Sequence, residues 1–195
     1  MLFPLFLKLA GRPVLLVGGG PVATSKAASL AEAGARVTVV TPEITPGLSE
    51  MVSAQGWALS VREFTTGDLD GVWLVISAAP PAINRQVATE AEARRIFVVA
   101  VDDPPSASAY GAGIVRRSEV TLAISTAGAA PALAGLLREG LDALLPMDLD
   151  SWVSEARRLR TEWKQEGLPM AERRPRLLQA LNHLYARTEV ADVRG

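Results

Sequence analysis

Three consecutive glycines lie in the stretch VGGGPVATSKAASLAEAG, residues 17–34, between an apolar run and a segment with helical spacing. Gly18, Gly20 and Ala23 fit the pattern G-x-G-x-x-G/A. In that pattern the first residue permits a tight turn, the second lets the backbone approach a pyrophosphate, and the third lets the helix pack closely on the strand. The pattern alone is weak, but a preceding strand and a following helix are the context that it requires. We therefore predict nucleotide binding here, with a purely structural glycine turn as the alternative.

A second stretch, VVAVDDP at 98–104, places Asp102 directly after an apolar run with strand character. Open α/β sheets bind ligands beyond the carboxyl ends of their strands, so Asp102 is expected at the same sheet edge as the glycine turn. A carboxylate at that position can act as a general acid or base. The alternative, which composition alone favours, is that Asp102 and Asp103 only cap the turn before Pro104.

The residues after the second predicted strand bear on the choice of cofactor. Thr41 and Pro42 stand where an acidic residue usually binds the adenosine ribose, and Glu43 comes directly after them. Glu43 could still reach the ribose, with an ordinary first-turn helix carboxylate as the alternative. No arginine follows that would bind a 2′-phosphate, so the sequence favours NAD over NADP.

Apolar runs and helical stretches alternate along the first half of the chain. Strands are predicted at 13–18, 35–42, 59–64, 71–79 and 96–101, and helices at 21–34, 45–56 and 81–95. This alternation predicts the α/β class, with a Rossmann-like, doubly wound and mostly parallel sheet. Two short strands around a turn at 117–119, an apolar helix at 130–145 and a helical C-terminal part are predicted to follow.

The composition excludes several kinds of chemistry. The chain has no cysteine, which rules out disulfides, thiolate metal sites and cysteine nucleophiles. Its single histidine, His183, argues against a histidine-built metal cage and is interpreted first as a packing residue. The net charge of −1 gives no general attraction to nucleic acid or to an anionic membrane. The apolar start, MLFPLFLKLAG, is too short to span a bilayer and lacks the features of a secretion signal, so a cytoplasmic protein is expected.

Three segments in the same order resemble the siroheme synthase N-terminal family. They are FPLFLKLAGRPVLLVGGGPVATSKAASLAEAGARVTVVTPEI, RRIFVVAVDDP and LAISTAGAAPALAGLLREGL. Members of that family are NAD-dependent precorrin-2 dehydrogenases, and many are also sirohydrochlorin ferrochelatases. The resemblance implies a homodimer with an NAD-binding Rossmann domain at 1–112, a small dimerisation region at 113–149 and a helical C-terminal domain at 150–195.

The resemblance also implies roles for particular residues. Asp102 would be the catalytic acid or base in the oxidation of precorrin-2 to sirohydrochlorin. Contacts to NAD would fall on the glycine turn and on the end of the second strand, at Gly18, Gly20, Pro21, Val22, Pro42 and Glu43. Because the tetrapyrrole substrate is a polycarboxylate, its pocket needs cationic or hydroxyl donors. The candidates are Ser125, Thr126, Arg116, Arg117 and Arg138, each arginine having a solvated surface charge as its alternative.

The chain also departs from the family pattern. Val99 stands where members often have asparagine, and Ala129 and Ala130 stand where threonine and serine are common. The serine that can be phosphorylated in the family corresponds to Thr126. These losses of hydrogen-bonding groups make insertion of Fe²⁺ or Co²⁺ less well supported than dehydrogenation, and no residue is predicted to hold a resident metal.

Two alternatives from other classes remain. One is a non-catalytic regulator that binds NAD or a tetrapyrrole on the same fold, because fold alone does not fix function. The other is a Rossmann-type sensor domain of a potassium channel complex, which would share only the glycine loop and would leave STAGAAPALAGLLREGL unexplained.

Overall fold

Five parallel strands form the main sheet of the computed structural model, which describes residues 2–192, with side chains through residue 182. The strands are β1 (Pro13–Val17), β2 (Arg36–Thr41), β3 (Ala58–Val61), β4 (Leu74–Ser77) and β5 (Phe97–Ala100). Their order in the sheet is β3-β2-β1-β4-β5. The chain crosses from β1 to β2 on one side and reaches β4 on the other, so the order reverses beside β1. The predicted α/β, Rossmann-like sheet is confirmed, with each strand shorter than predicted.

Three helices cover the two faces of this sheet. They are α1 (Pro21–Glu32), α2 (Pro46–Gln55) and α3 (Pro81–Ala93), and each begins with a proline, whose fixed φ and missing N–H suit the first helical position. Alternate strand residues point to opposite faces. Leu16 packs in the cluster that contains residues of α1 and α2, whereas Leu15 packs with residues of α3. Burial on both faces explains why the strands are continuous apolar runs.

A hairpin and three helices follow the sheet. Strands β6 (Gly113–Arg117) and β7 (Val120–Ile124) pair antiparallel, as predicted from the turn at 117–119. Helices α4 (Pro131–Leu144), α5 (Leu149–Gln165) and α6 (Met170–Asp192) make up the rest. The interpretation of His183 as a packing residue falls outside the side chains that the structure describes.

The chain divides into two units. The first contains the residues up to Gly111 together with Ser125–Pro131, and the second contains 112–124 together with the residues from 132 onward. The loop at 125–131 therefore belongs with the sheet, although the hairpin and helix on either side of it do not. The bounds expected from the sequence, at 112/113 and 149/150, stay predictions.

Candidate active site

The first glycine of the turn is required by the backbone. Gly18 has a φ of +113°, and its N–H donates to the Val40 carbonyl at 3.0 Å. A Cβ at this position would lie 2.9 Å from the Ala78 carbonyl carbon, and closer still to its oxygen. Only glycine therefore lets the chain leave β1 at this angle between the ends of β2 and β4.

The middle glycine is also required, which the motif did not predict. Gly19 occupies a position that G-x-G leaves free, yet a Cβ there would lie 2.8 Å from two side-chain atoms of Thr41 and would overlap the Glu43 carbonyl oxygen. The Gly19 carbonyl in turn accepts a hydrogen bond from the Thr45 N–H at 2.9 Å. The glycine turn is thus pressed against the loop that follows β2. A glycine at the position that the motif leaves free was the only sequence signal for this contact.

Gly20, by contrast, faces open space. It is the N-cap of α1 with a φ of −80°, and a Cβ there would have no heavy atom within 4 Å. The amides of the first helical turn after Pro21, those of Val22 and Ala23, have no partner within a regular helix. Such amides at a positive helix end are a ready site for a phosphate. This open cradle fits the pyrophosphate of a dinucleotide.

A small threonine network fixes the turn to the loop after β2. The Thr24 hydroxyl donates to the Gly20 carbonyl at 3.0 Å and lies 2.8 Å from the Thr45 hydroxyl. The Thr41 hydroxyl donates to the Glu43 carbonyl at 2.6 Å. Pro42 and Glu43 are exposed beside the turn as a result. The structure thus brings the two predicted cofactor segments together.

A cleft of about 210 Å³ opens at the carboxyl ends of β4 and β5, next to the first turn of α1. Its lining comprises Val22, Ala78, Ala79, Pro81, Asn84, Val101, Asp102 and Asp103. It lies where the strand order reverses, the position at which open α/β sheets bind ligands. Asp102 is exposed in this cleft, with a φ of +55° that aspartate tolerates better than most residues.

Asp103 occupies the N-cap position of the turn, but its side chain does not cap it, contrary to the alternative considered from the sequence. Its backbone carbonyl accepts from the Ser106 N–H at 3.0 Å, but its side chain makes no capping hydrogen bond. The Oδ2 atom is buried without a hydrogen-bond partner among the described residues. A buried acceptor without a donor is rare and needs an explanation.

Asn84 was missed by the sequence reasoning. It lies on α3 with only 1% of its surface exposed, and its Oδ1 accepts from the Ser77 hydroxyl at 2.6 Å and from the Ala79 N–H at 3.3 Å. A single polar residue in a helical stretch gives no signal by itself, because most such residues face solvent. Only the packing of α3 on β4 places it in the cleft.

The loop 125–131 lies beside the loop that carries the two aspartates. A Cβ at Gly128 would lie 3.4 Å from Pro104 and 3.6 Å from the Tyr110 ring. Ser125 is exposed and Thr126 half-buried, and their hydroxyls accept hydrogen bonds from the Ala127 and Ala130 amides at 3.1 and 3.2 Å. Both hydroxyl protons remain available to a ligand. The predicted tetrapyrrole loop and Asp102 thus share one unit.

The three candidate arginines lie in the other unit. Arg117 donates to the Leu145 carbonyl at 2.6 Å and to the Asp142 carboxylate at 2.8 Å, which ties it to the end of α4. Arg138 is half-buried on α4, 3.3 Å from Glu139, and Arg116 is exposed on β6. Arg117 is therefore engaged with its own unit, and a role in substrate binding stays a prediction for all three.

A parallel sheet with a glycine turn, an open helix N-terminus and a cleft at the reversal of strand order defines a Rossmann-type dinucleotide-binding protein. The family described as putative NAD(P)-binding matches residues 5–112. The chain belongs to this family, which confirms the predicted class of cofactor, a nicotinamide adenine dinucleotide.

Similar proteins confirm the predicted resemblance to siroheme synthase N-terminal proteins. Siroheme synthase 3 of Aeromonas hydrophila is 44% identical over 172 residues, which cover 88% of this chain and 37% of that protein. Siroheme synthase of Photorhabdus laumondii is 44% identical over 184 residues, which cover 94% and 39%. The chain thus spans about two fifths of the length of these relatives. The solved structure of SirC, precorrin-2 dehydrogenase, has a TM-score of 0.72 at 23% identity, covering 91% of this chain and 88% of that one, and supports the fold.

The part of the chain that the structure describes has neither a membrane-spanning helix nor a metal-binding cluster. No helix in that part of the chain is long and apolar enough to cross a membrane. No group of three or more histidine, aspartate or glutamate side chains within it is placed to hold a metal ion.

Proposed function

We propose that this protein is an NAD-dependent dehydrogenase that oxidises precorrin-2 to sirohydrochlorin in siroheme biosynthesis. The names of the similar proteins, siroheme synthase and precorrin-2 dehydrogenase, support this substrate. The observation that carries the proposal is the exposed carboxylate of Asp102, which lines the cleft beside the glycine turn.

The reaction removes a hydride and a proton from the macrocycle. NAD, when bound, supplies the hydride acceptor. Gly20 and the amides of Val22 and Ala23 would hold the pyrophosphate of the cofactor at the positive end of α1. Asp102 accepts the proton and, because its side chain is exposed, passes it to solvent. The products are sirohydrochlorin, NADH and one proton, so atoms and electrons balance.

Glu43 carries the preference for NAD in this proposal. Its backbone is fixed beside the turn by the Thr41 hydroxyl, and its exposed side chain is free to accept hydrogen bonds from the adenosine ribose. A 2′-phosphate at that point would meet a carboxylate of the same charge, which disfavours NADP.

The tetrapyrrole is expected to contact the loop 125–131. Ser125 and Thr126 can donate to its carboxylates, and their loop neighbours the Asp102 segment. Arg116, Arg117 and Arg138 stay the cationic candidates, and binding through Arg117 would compete with its pairing to Asp142 and the end of α4.

A second activity, insertion of Fe²⁺ or Co²⁺ into sirohydrochlorin, is favoured by one observation. Asp102 and Asp103 put two carboxylates on one cleft, and a carboxylate can remove the pyrrole N–H protons that the metal replaces. The metal ion would be a substrate rather than a resident group.

A homodimer in the cytoplasm completes the proposal. Leucines along α4 are exposed, namely Leu133, Leu136, Leu137, Leu141 and Leu144. An apolar helix face of this kind is typical of an interface, and a second copy of the chain is the partner that we propose.

The test is an anaerobic assay with purified protein and precorrin-2 that follows sirohydrochlorin absorbance with and without NAD. We expect NAD-dependent oxidation that Asp102→Asn abolishes without loss of NAD affinity. Glu50→Gln, which changes an exposed carboxylate on α2, is the matched control. Fe²⁺ or Co²⁺ is then added after the oxidation. A spectral change that is faster with the protein than in the protein-free control would establish the second activity. If precorrin-2 is oxidised no faster with the protein and NAD than without the protein, the dehydrogenase proposal is refuted and the non-catalytic regulator is the remaining interpretation.

A further inference from the structure

Asn84 presents one unsatisfied donor to the cleft. Its Oδ1 accepts from a backbone N–H, that of Ala79, which can only donate, so the orientation of the amide is fixed. Ser77 adds a second bond to the same oxygen at 2.6 Å. Both of these side-chain hydrogen bonds end on Oδ1 and leave Nδ2 to the cleft, which Asn84 lines although it is 99% buried. Nδ2 is thus a fixed donor that awaits an acceptor.

Asp103 presents the complementary group. Its Oδ2 is buried, has no hydrogen-bond partner among the described residues, and belongs to a side chain that lines the same cleft. An acceptor and a donor that both lack partners on one cleft indicate a ligand that carries both kinds of group.

The position of the cleft indicates which part of the cofactor it meets. The glycine turn follows β1, and Glu43, on the adenosine side, follows β2. The cleft lies on the other side of β1, at the ends of β4 and β5. A dinucleotide whose pyrophosphate lies on α1 therefore extends its nicotinamide half into this cleft.

We propose that Asn84 and Asp103 together bind the carboxamide of the nicotinamide ring. The carboxamide oxygen accepts from Asn84 Nδ2, and the carboxamide NH₂ donates to Asp103 Oδ2. Val22, Ala79 and Val101 line the cleft with apolar surface that suits the ring. A substrate carboxylate fits less well, because it offers only acceptors and would be repelled by Asp103. Binding of the carboxamide does not depend on which substrate is oxidised. The inference rests on the proposed function only where it names the macrocycle as the substrate that meets the ring.

The pair acts by positioning. Two hydrogen bonds at the carboxamide prevent the ring from turning over, so only one ring face is presented to the macrocycle and to Asp102. Neither Asn84 nor Asp103 takes part in the transfer itself.

Binding of three probes tests the pair by calorimetry. They are NAD, its 3-acetylpyridine analogue, which keeps the carbonyl but lacks the NH₂ donors, and ADP-ribose, which lacks the ring. Asp103→Ala is expected to weaken NAD about tenfold while leaving the other two within about twofold, because only NAD uses the lost acceptor. Asp70→Ala, at a carboxylate that is 77% exposed, is the matched control and should change none of the three.

Asn84→Asp tests the donor. The variant keeps the oxygen that accepts from Ser77 and Ala79 but loses Nδ2. We expect both NAD and the acetylpyridine analogue to bind at least about tenfold more weakly, with ADP-ribose unchanged. Asn182→Asp, on the exposed side of α6, is its matched control.

Equal losses for NAD and the analogue in Asp103→Ala, or no loss in either variant, would overturn the assignment. Loss of ADP-ribose binding together with NAD would also overturn it, because the change would then act outside the ring. These outcomes are separable from the dehydrogenase proposal. If the variants change the affinities of the three probes as expected but the protein does not oxidise precorrin-2, the dehydrogenase proposal is refuted and the assignment of Asn84 and Asp103 stands.

Discussion

Replacing Gly19 by alanine is expected to destabilise the protein, although the nucleotide motif leaves that position free. The new Cβ would overlap the Glu43 carbonyl oxygen and lie 2.8 Å from Thr41 Oγ1 and Cγ2. The clash is with backbone on one side and with a buried threonine on the other, so neither can move cheaply. Overpacking of this kind costs about 1–3 kcal/mol, and we place this substitution at about 3 kcal/mol. For a chain of this size that corresponds to a fall in Tm of roughly 6–12 °C.

The neighbouring substitution, Gly20→Ala, is expected to change stability little and to weaken NAD binding instead. Its Cβ meets nothing within 4 Å and its φ of −80° suits any residue, so only a weaker N-cap remains, at less than about 1 kcal/mol. The methyl group would instead occupy the space of the pyrophosphate. Loss of one hydrogen bond to a charged group costs about 1.5–3 kcal/mol, which is roughly a 10- to 100-fold rise in Kd for NAD. Gly20→Asp should abolish binding, because it adds a negative charge at the same point.

Thermal melting without ligand and calorimetry with NAD separate the two effects. Gly67→Ala, at another glycine with no neighbour within 4 Å, is the control for both measurements. The reasoning is refuted if Gly19→Ala melts within about 2 °C of the unmodified protein, less than the shift that 1 kcal/mol produces. It is refuted equally if Gly20→Ala binds NAD with unchanged affinity.

Three further predictions concern the rest of the chain. Arg62 donates to both carboxylate oxygens of Asp68 at 2.5 and 2.8 Å, and with the Thr65 N–H it lowers the pKa of that carboxyl. Asp68→Asn should therefore lower the free energy of unfolding by about 1 kcal/mol at pH 7, as measured by urea unfolding. The difference should shrink as the pH falls below the pKa of an unfolded aspartate, about 3.9, and through the lower pKa of Asp68 in the folded protein. Arg117→Ala removes the cap of α4 and should lower Tm by roughly 2–4 °C with an unchanged KM for precorrin-2, whereas a raised KM would show that Arg117 binds substrate. Leu136→Glu places a charge on a side chain that is 66% exposed on α4, and light scattering should show a monomer; a persistent dimer would place the interface elsewhere.

Much of the fold follows from local patterns. The five strands are runs of apolar residues because both faces of the sheet are covered, and prolines mark the starts of the first four α-helices. Boundaries were less accurate: the strand predicted at 71–79 is confined to Leu74–Ser77, because apolar residues continue into the loops that line the cleft.

The sequence by itself determined the Rossmann-type sheet, the glycine turn and the place of Asp102 after β5, since each depends on neighbours in the chain. Only the tertiary structure decided that Gly19 cannot carry a side chain, because the obstacle comes from the loop after β2. It also decided that one cleft is lined by Asn84, whose two side-chain hydrogen bonds both end on Oδ1, and by Asp103, whose Oδ2 is left unpaired. These relations join residues that lie far apart in sequence, and they arise from the order of strands in the sheet rather than from any local pattern.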